Sequence, residues 1–355
     1  MAYISFQPKD YFDTKLYTQS GSNNNGNTQT LTMDNVGFVW VKNRDYTNGH
    51  CIFDILRGGD KLLTTNGAAA AETVGGGITF GASDTTIGAD TGGYGFNNRV
   101  GDDYVGWHWR ANGAGSSNTD GSINTTYTSA STTSGFSIST YTGTGSAATI
   151  GHGLGVAPAM IIVKRLTGSA EAWTVYHQSL GSGTTPHDKY LHLNTTDAEG
   201  DSAGMWNDTA PTTSVFSVGS TGVTNGSGGT FVAYCFAEKK GYSKFGSYTG
   251  NGNADGTFVY TGFKPAFVII KGSSNTENWH MYDNKRDTFN PTDQALQPNT
   301  TSAEFTETNV LDFLSNGFKL RVTGGGHNGS GVSYIYMAFA ESPIVSSNGV
   351  PAVAR

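Results

Sequence analysis

The amino-acid sequence predicts an all-β protein made of three tandem antiparallel β-sandwich units, jelly-roll or lectin-like in type. Three observations point there. Strand-like apolar segments such as FVWVK, MIIVK and FVAYCFAE are separated by clusters of Gly, Asn, Ser, Thr and Asp, the pattern of sandwiches and barrels. Fifty glycines in 355 residues supply turns that need positive φ. The same blocks also recur in the same order along the chain.

The recurrence begins at GHGLGVAPAMIIVK (151–164), where closely spaced glycines invite a nucleotide-binding reading. A phosphate cradle needs glycines that follow a strand and open a helix. Here they lead through Pro158 into the β-branched run 159–163, and TGFKPAFVIIK (261–271) repeats the glycine, the proline and the closing lysine. Gly151, Gly153 and Gly155 are therefore expected to form a turn feeding a strand. Flanking blocks repeat as well: Tyr141-Thr142-Gly143 with Tyr248-Thr249-Gly250, WTVYH (173–177) with WHMYD (279–283), NTTDAE (194–199) with NTTSAE (299–304), and FVAYCFAE (231–238) with YIYMAFAE (334–341). The offsets stay close: 107 from Lys164 to Lys271, 106 from His177 to Asp283 and 103 from Phe231 to Tyr334. A more diverged copy opens the chain with LYT (16–18), FVWVK (38–42), HCIFD (50–54) and YVGWHWRA (104–111), carrying His50 where the others carry Trp173 and Trp279.

In chain order this gives an N-terminal arm (1–15), a first sandwich unit (16–115), a Ser/Thr-rich linker (116–135), a second unit (136–243), a third unit (244–343) and a C-terminal tail (344–355). The arm carries Tyr3, Ile4, Phe6, Tyr11 and Phe12, a density of large apolar groups that water does not favour. It has no counterpart before the other units, so these five residues are expected to be assembly contacts on another subunit, and deleting 2–13 to leave a folded chain; the alternative is an arm folded back onto its own first unit. In the first unit, YVGWHWRA alternates as a two-faced strand, and GAAAAET (67–73) is the best helix candidate, at most two turns long. The linker is too polar to supply core, but its Thr/Ser content also allows exposed edge strands. The junction between units two and three is much shorter, so those two are expected to pack more rigidly together. The segments 38–42, 160–164 and 267–271 are expected to be equivalent strands.

Composition narrows the function. Charged residues make up 14% and the net charge is −7, which argues against an electrostatic hold on nucleic acid. No apolar run approaches the ~18 residues of a membrane span. The opening MAYISFQPKDYFDTK is acidic, aromatic and proline-containing, unlike a signal peptide. Cys51 and Cys235 fall in different blocks, HCIFD and FVAYCFAE, and are expected to be free buried thiols of a protein folded in a reducing cytoplasm.

The MAYISFQPKDYFDTKLYT opening, the YTGTG…GHGLGVAPAMIIVK block, the W-x-V/M-Y-H/D block and the SSNGVPAVAR ending resemble virion structural proteins of tailed marine bacteriophages, common among cyanophages and pelagiphages. The resemblance spans essentially the whole chain. It implies a tail fibre, spike or head-decoration subunit located in the virion, with other virion proteins as partners. By analogy with phage appendages it also implies a homo-oligomer, a trimer being preferred. It supplies no catalytic residues.

Individual residues support a non-enzymatic reading. A glycosidase needs two carboxylates flanking the scissile bond. Asp54 and Asp283 are equivalent, but the second unit has His177 there. Glu199 and Glu304 match within NTTxAE, Glu72 being a candidate counterpart, and read as structural groups beside turn-capping Asn194 and Asn299. His152 reads as a turn residue, and the repeated Trp173 and Trp279 as core. Residues that differ among the units are better recognition candidates: Trp107, Trp206 and the Asn-rich loops 22–27 and 93–98. No cofactor and no metal is expected. The alternative function is a carbohydrate-binding module or polysaccharide depolymerase.

Overall fold

The computed structural model describes residues 6–20, 26–31 and 33–342, and the backbone of 344–345 and 351–352. Its three largest building blocks are antiparallel sheets in which one strand order occurs three times. In the first, Phe12–Thr18, Asp103–Arg110, Val36–Asn43 and Cys51–Asp54 lie side by side; in the second, Phe136–Thr142, Thr230–Phe236, Met160–Arg165 and Thr174–His177. The third repeats it with Ser243–Thr249, Ser333–Ala340, Pro265–Gly272 and His280–Asp283. The segments 38–42, 160–164 and 267–271 thus occupy the same place in each sheet. Gly153 and Gly155, at φ 69° and 72°, turn the chain between Ala148–Gly151 and Met160–Arg165. At such angles a Cβ is strained, which is why glycine stands there.

Each inner sheet is covered on its outer face by a second antiparallel sheet. The covers are Asn27–Thr30 with Asp84–Asp90 and Gly76–Phe80, then Ala148–Gly151 with Val215–Val218, then Phe258–Tyr260 with Gly317–Leu320, Phe305–Leu314 and Thr292–Ala295. The opposite faces of all three inner sheets meet in one common core. Strand alternation sorts the side chains between the two. Phe38 and Trp40, Met160 and Ile162, and Phe267 and Ile269 enter the common core. Val39 and Val41, Ile161 and Val163, and Val268 and Ile270 enter the three separate sandwich cores. Both faces of these strands are therefore dry, so they read as continuous apolar runs.

This arrangement corrects three expectations. The stretch 116–135 forms the edge strand its Thr/Ser content allows, Tyr127–Ser131 pairing with Phe136–Thr142, but it also supplies core, since Ile123 is buried in the second sandwich. Nor are the units beads with one rigid and one loose junction, because all three contribute to one core. GAAAAET forms no helix. Ala68 O accepts from Lys164 Nζ at 2.9 Å, Ala71 N–H donates to Leu166 O at 3.3 Å, and Glu72–Thr73 is a strand edge. Contacts across a seam outweigh the weak intrinsic preference of a short alanine run.

The seams repeat cyclically. Between units one and two, Trp173 Nε1 donates to Thr64 O at 2.9 Å and Tyr234 Oη to Asp54 Oδ2 at 2.7 Å. Between two and three, Trp279 Nε1 donates to His192 O at 3.0 Å and His177 Nε2 pairs with Tyr336 O at 3.1 Å. Between three and one, Thr65 Oγ1 donates to Pro298 O at 2.6 Å and Trp107 Nε1 to Asp283 Oδ2 at 3.2 Å. At each seam, the carbonyl two residues beyond Lys42, Lys164 or Lys271 accepts an N–H from the next unit: Arg44 from Glu304, Leu166 from Ala71, Ser273 from Glu199. Those lysines are buried, their ammonium groups donating to backbone carbonyls, and burial pulls each down to about 8.

Candidate functional site

The cyclic arrangement leaves related hollows at the seams. A groove of about 420 Å³ opens between units one and two, with Leu56, Leu166 and Phe231 among its apolar lining and Thr126, Thr140 and Thr230 among its hydroxyls. Tyr127, 48% exposed, stands at this groove as an aromatic platform. Its counterpart between two and three, about 350 Å³, is lined by serines and a single carboxylate, Glu199, whose Oε2 accepts from Gly181 N–H. At the third seam charge bridges the units instead. Arg44 Nη2 lies 2.6 Å from Glu304 Oε1, and Arg286 Nη1 lies 2.8 Å from Glu304 Oε2. One geometry thus carries three chemistries.

A second constellation lies inside the third sandwich. His280 opens the inner strand His280–Asp283, Glu307 sits on the outer strand Phe305–Leu314, and His327 lies in the turn before Ser333–Ala340. Alternation puts His280 and Tyr282 on one face, toward the outer sheet. Tyr282 Oη donates to Glu307 Oε2 at 2.5 Å and lies 2.7 Å from His327 Nε2. Glu307 oxygens stand 3.4 Å from His327 Nε2 and 3.8 Å from His280 Nε2. The two imidazole rings are 4.1 Å apart. Burial pushes His280 down to about 4 and His327 well below the usual imidazole value, and raises Glu307.

The sequence analysis missed this cluster. The legible signal was His280 itself, standing where the aligned blocks carry Thr174 and Cys51; its partners are 27 and 47 residues downstream in strands and turns of no special pattern.

The residues singled out for recognition are elsewhere. Trp107 is fully buried and Trp206 is 2% exposed, which corrects their assignment to surface recognition. Trp107 belongs to the common core and to a seam. Trp206 packs edge-on to Tyr176 at 6.0 Å in the second sandwich core. Units differ at these positions because their packing partners differ. Trp173 and Trp279 are core, as expected. In the loop 93–98, Phe96 and Asn97 are buried; most of 22–27 lies outside the described residues.

The arm is corrected in the same way. Tyr3 and Ile4 lie outside the described residues. Phe6 stacks on Tyr11 at 4.3 Å, and both rings meet Tyr242 of this same chain. Phe12 is 3% exposed, begins the first inner strand and touches Trp109, Phe267 and Phe339. Phe12 is therefore no free anchor for another subunit, and Phe6 and Tyr11 pack on their own chain.

Asn194 and Asn299 do cap backbone, their Oδ1 atoms accepting from Trp173 N–H at 2.9 Å and Trp279 N–H at 3.0 Å. His152 accepts at Nδ1 from Leu154 N–H within its own turn. Cys51 and Cys235 are free and buried, and burial raises both thiols. No helix among the described residues is long and apolar enough to cross a membrane.

Among curated proteins no match is found. A family model matches residues 7–343, spanning all three sheets and their seams; the chain belongs to the family described as a domain of unknown function, DUF7483.

Proposed function

We propose that the chain is a non-enzymatic structural component of a phage virion, a tail fibre, spike or head appendage whose exposed loops meet the host cell surface. The observation that carries this reading is the common core: one chain folds three like sheets around a shared interior and locks each seam with buried polar pairs. Such a body is a rigid platform that presents three non-identical outer faces. The sequence resemblance to virion proteins of tailed marine phages points the same way. In this reading the chain docks on other virion proteins and forms a homo-oligomer, a trimer being preferred by analogy with phage appendages. Mass spectrometry of purified particles, followed by density location on them, tests it. Stoichiometric presence in particles is expected; a protein found only in the infected-cell lysate refutes it.

A second reading is favoured by the groove at Tyr127. An exposed aromatic ring flanked by threonine hydroxyls matches the apolar faces and hydroxyls of a sugar. Carbohydrate binding there is tested by Tyr127→Ala, which should abolish retention on host-surface polysaccharide while leaving the melting temperature unchanged. Equal retention by both proteins excludes this groove.

A further inference from the structure

We propose that the third unit holds a divalent transition-metal site, with zinc as the best-matched ion and His280, His327 and Glu307 as its protein ligands. The donors already converge: one atom from each of the three lies within 4.8 Å of the others. Tetrahedral zinc with bonds of ~2.0–2.1 Å sets neighbouring ligands roughly 3.3 Å apart. His327 Nε2 stands 3.4 Å from Glu307 Oε2 and His280 Nε2 stands 3.8 Å from Glu307 Oε1, so the first pair meets this spacing and a rotation of the carboxylate is needed to bring one oxygen to both rings. Two imidazoles and one carboxylate suit zinc, whereas calcium and magnesium call for oxygen-only sets.

The surroundings agree. Both rings are buried, 3% and 6% exposed. Gln297 Nε2 lies 3.1 Å from His280 Nε2. With the amide as donor, Gln297 occupies the Nε2 lone pair and the ring proton sits on Nδ1, so a bound ion takes the place of this amide contact. His280 Nδ1 is buried with no hydrogen-bond partner, so no protein hydrogen bond at that nitrogen accounts for burying the ring. Tyr282 Oη lies between Glu307 Oε2 and His327 Nε2 and links the two through hydrogen bonds. Glu277 and Asp293 add negative potential at Glu307.

The fold does not require these residues. The other inner sheets form the same strand with Cys51 or Thr174 at the position of His280. Glu307 is 26% exposed at its side chain, which gives an ion a way in and leaves a fourth coordination position facing Tyr282 or water. A bound ion ties the inner sheet, the outer sheet and the turn at His327 together.

The test is titration of the full-length, EDTA-treated protein with zinc chloride against a chromophoric chelator, with cobalt(II) absorption reporting coordination geometry. One ion per chain is expected, with a micromolar or tighter dissociation constant, tetrahedral cobalt bands and a melting temperature that zinc raises. His280→Thr, which installs the residue found at position 174, and Glu307→Gln, at a partly exposed side chain, should each weaken binding by at least about tenfold. His187→Ala should leave it unchanged. Absence of stoichiometric binding overturns the proposal, as does binding that both ligand variants retain.

Discussion

Exchanging Asp283 and Arg286 for His and Leu, singly and together, measures how tightly chemistry is matched across a seam. Asp283 is fully buried and accepts from Arg286 Nε at 2.6 Å, Trp107 Nε1 at 3.2 Å and the N–H groups of Lys285 and Arg286. Asp54 and Arg57 repeat the pair in unit one, but unit two has His177 and Leu180, both buried. Asp283→His alone strands a guanidinium whose side chain is fully buried. Breaking a buried pair from one side costs about 3–5 kcal/mol; because Glu304 still holds Arg286 at 2.8 Å, the lower end, about 3 kcal/mol, is expected. The double variant removes both charges and copies a combination unit two already buries, so it should cost about 1 kcal/mol, about 2 kcal/mol less than Asp283→His alone. Urea unfolding of the four proteins gives the cycle. Melting adds a second readout. For all 355 residues the unfolding entropy is roughly 0.75 kcal/mol/K, so a 3 kcal/mol loss lowers the midpoint by about 4 °C. If the 100 residues 244–343 melted alone, the same loss would lower it by about 14 °C. A double variant no more stable than Asp283→His would refute the matched-set argument, and a shift near 14 °C would refute a cooperatively shared core.

Two further outcomes follow from burial. Phe12→Ala should destabilise the protein by about 3–5 kcal/mol in urea, since it empties a site among Trp109, Phe267 and Phe339; deletion of residues 2–13 should likewise lower stability, and an unchanged denaturation midpoint would restore the free-arm view. Stability should also fall on acidification from pH 6.5 toward 4, because burial depresses His108 and His177 to about 4, so the folded state binds fewer protons than the unfolded chain over that window; the two sites together should lose on the order of 4 kcal/mol by pH 5, and a flat urea midpoint between pH 7.5 and 5 would contradict this.

The repeat, the strand class and the equivalence of 38–42, 160–164 and 267–271 were legible because strand patterning and turn residues are local properties. The buried role of Trp173 and Trp279 was legible for the same reason: a position shared by aligned blocks serves the shared fold. What the sequence hid is the second face of each inner strand. FVWVK, MIIVK and FVIIK are apolar throughout, which two-sided burial explains, yet nothing in a single run says whether its second face meets a cover sheet or two other units. The errors at Phe6, Tyr11, Phe12 and Trp107 share that cause, since all four are used by the common core or packed against it. Trp206 instead fills the core of its own sandwich. The His280 cluster stayed hidden because it joins three elements distant in sequence.

The sharing of one core constrains where function can vary. A substitution at Lys164, Trp173 or Tyr234 disturbs a seam, and every seam closes on the same interior. Positions that recur around the cycle are therefore held to donors and acceptors that satisfy their neighbours: where Asp54 and Asp283 accept from Tyr234 and Trp107, unit two reverses the polarity, and His177 meets the backbone oxygen of Tyr336. Variation is cheap only outside that network. The seam hollows and the space between inner and outer sheets satisfy this condition, and the units differ there most: Tyr127 beside threonines at one seam, serines with Glu199 at the next, an Arg44–Glu304 bridge at the third, and two histidines with a glutamate inside the third sandwich. Symmetric positions account for the fold, and the departures from symmetry are where binding chemistry collects.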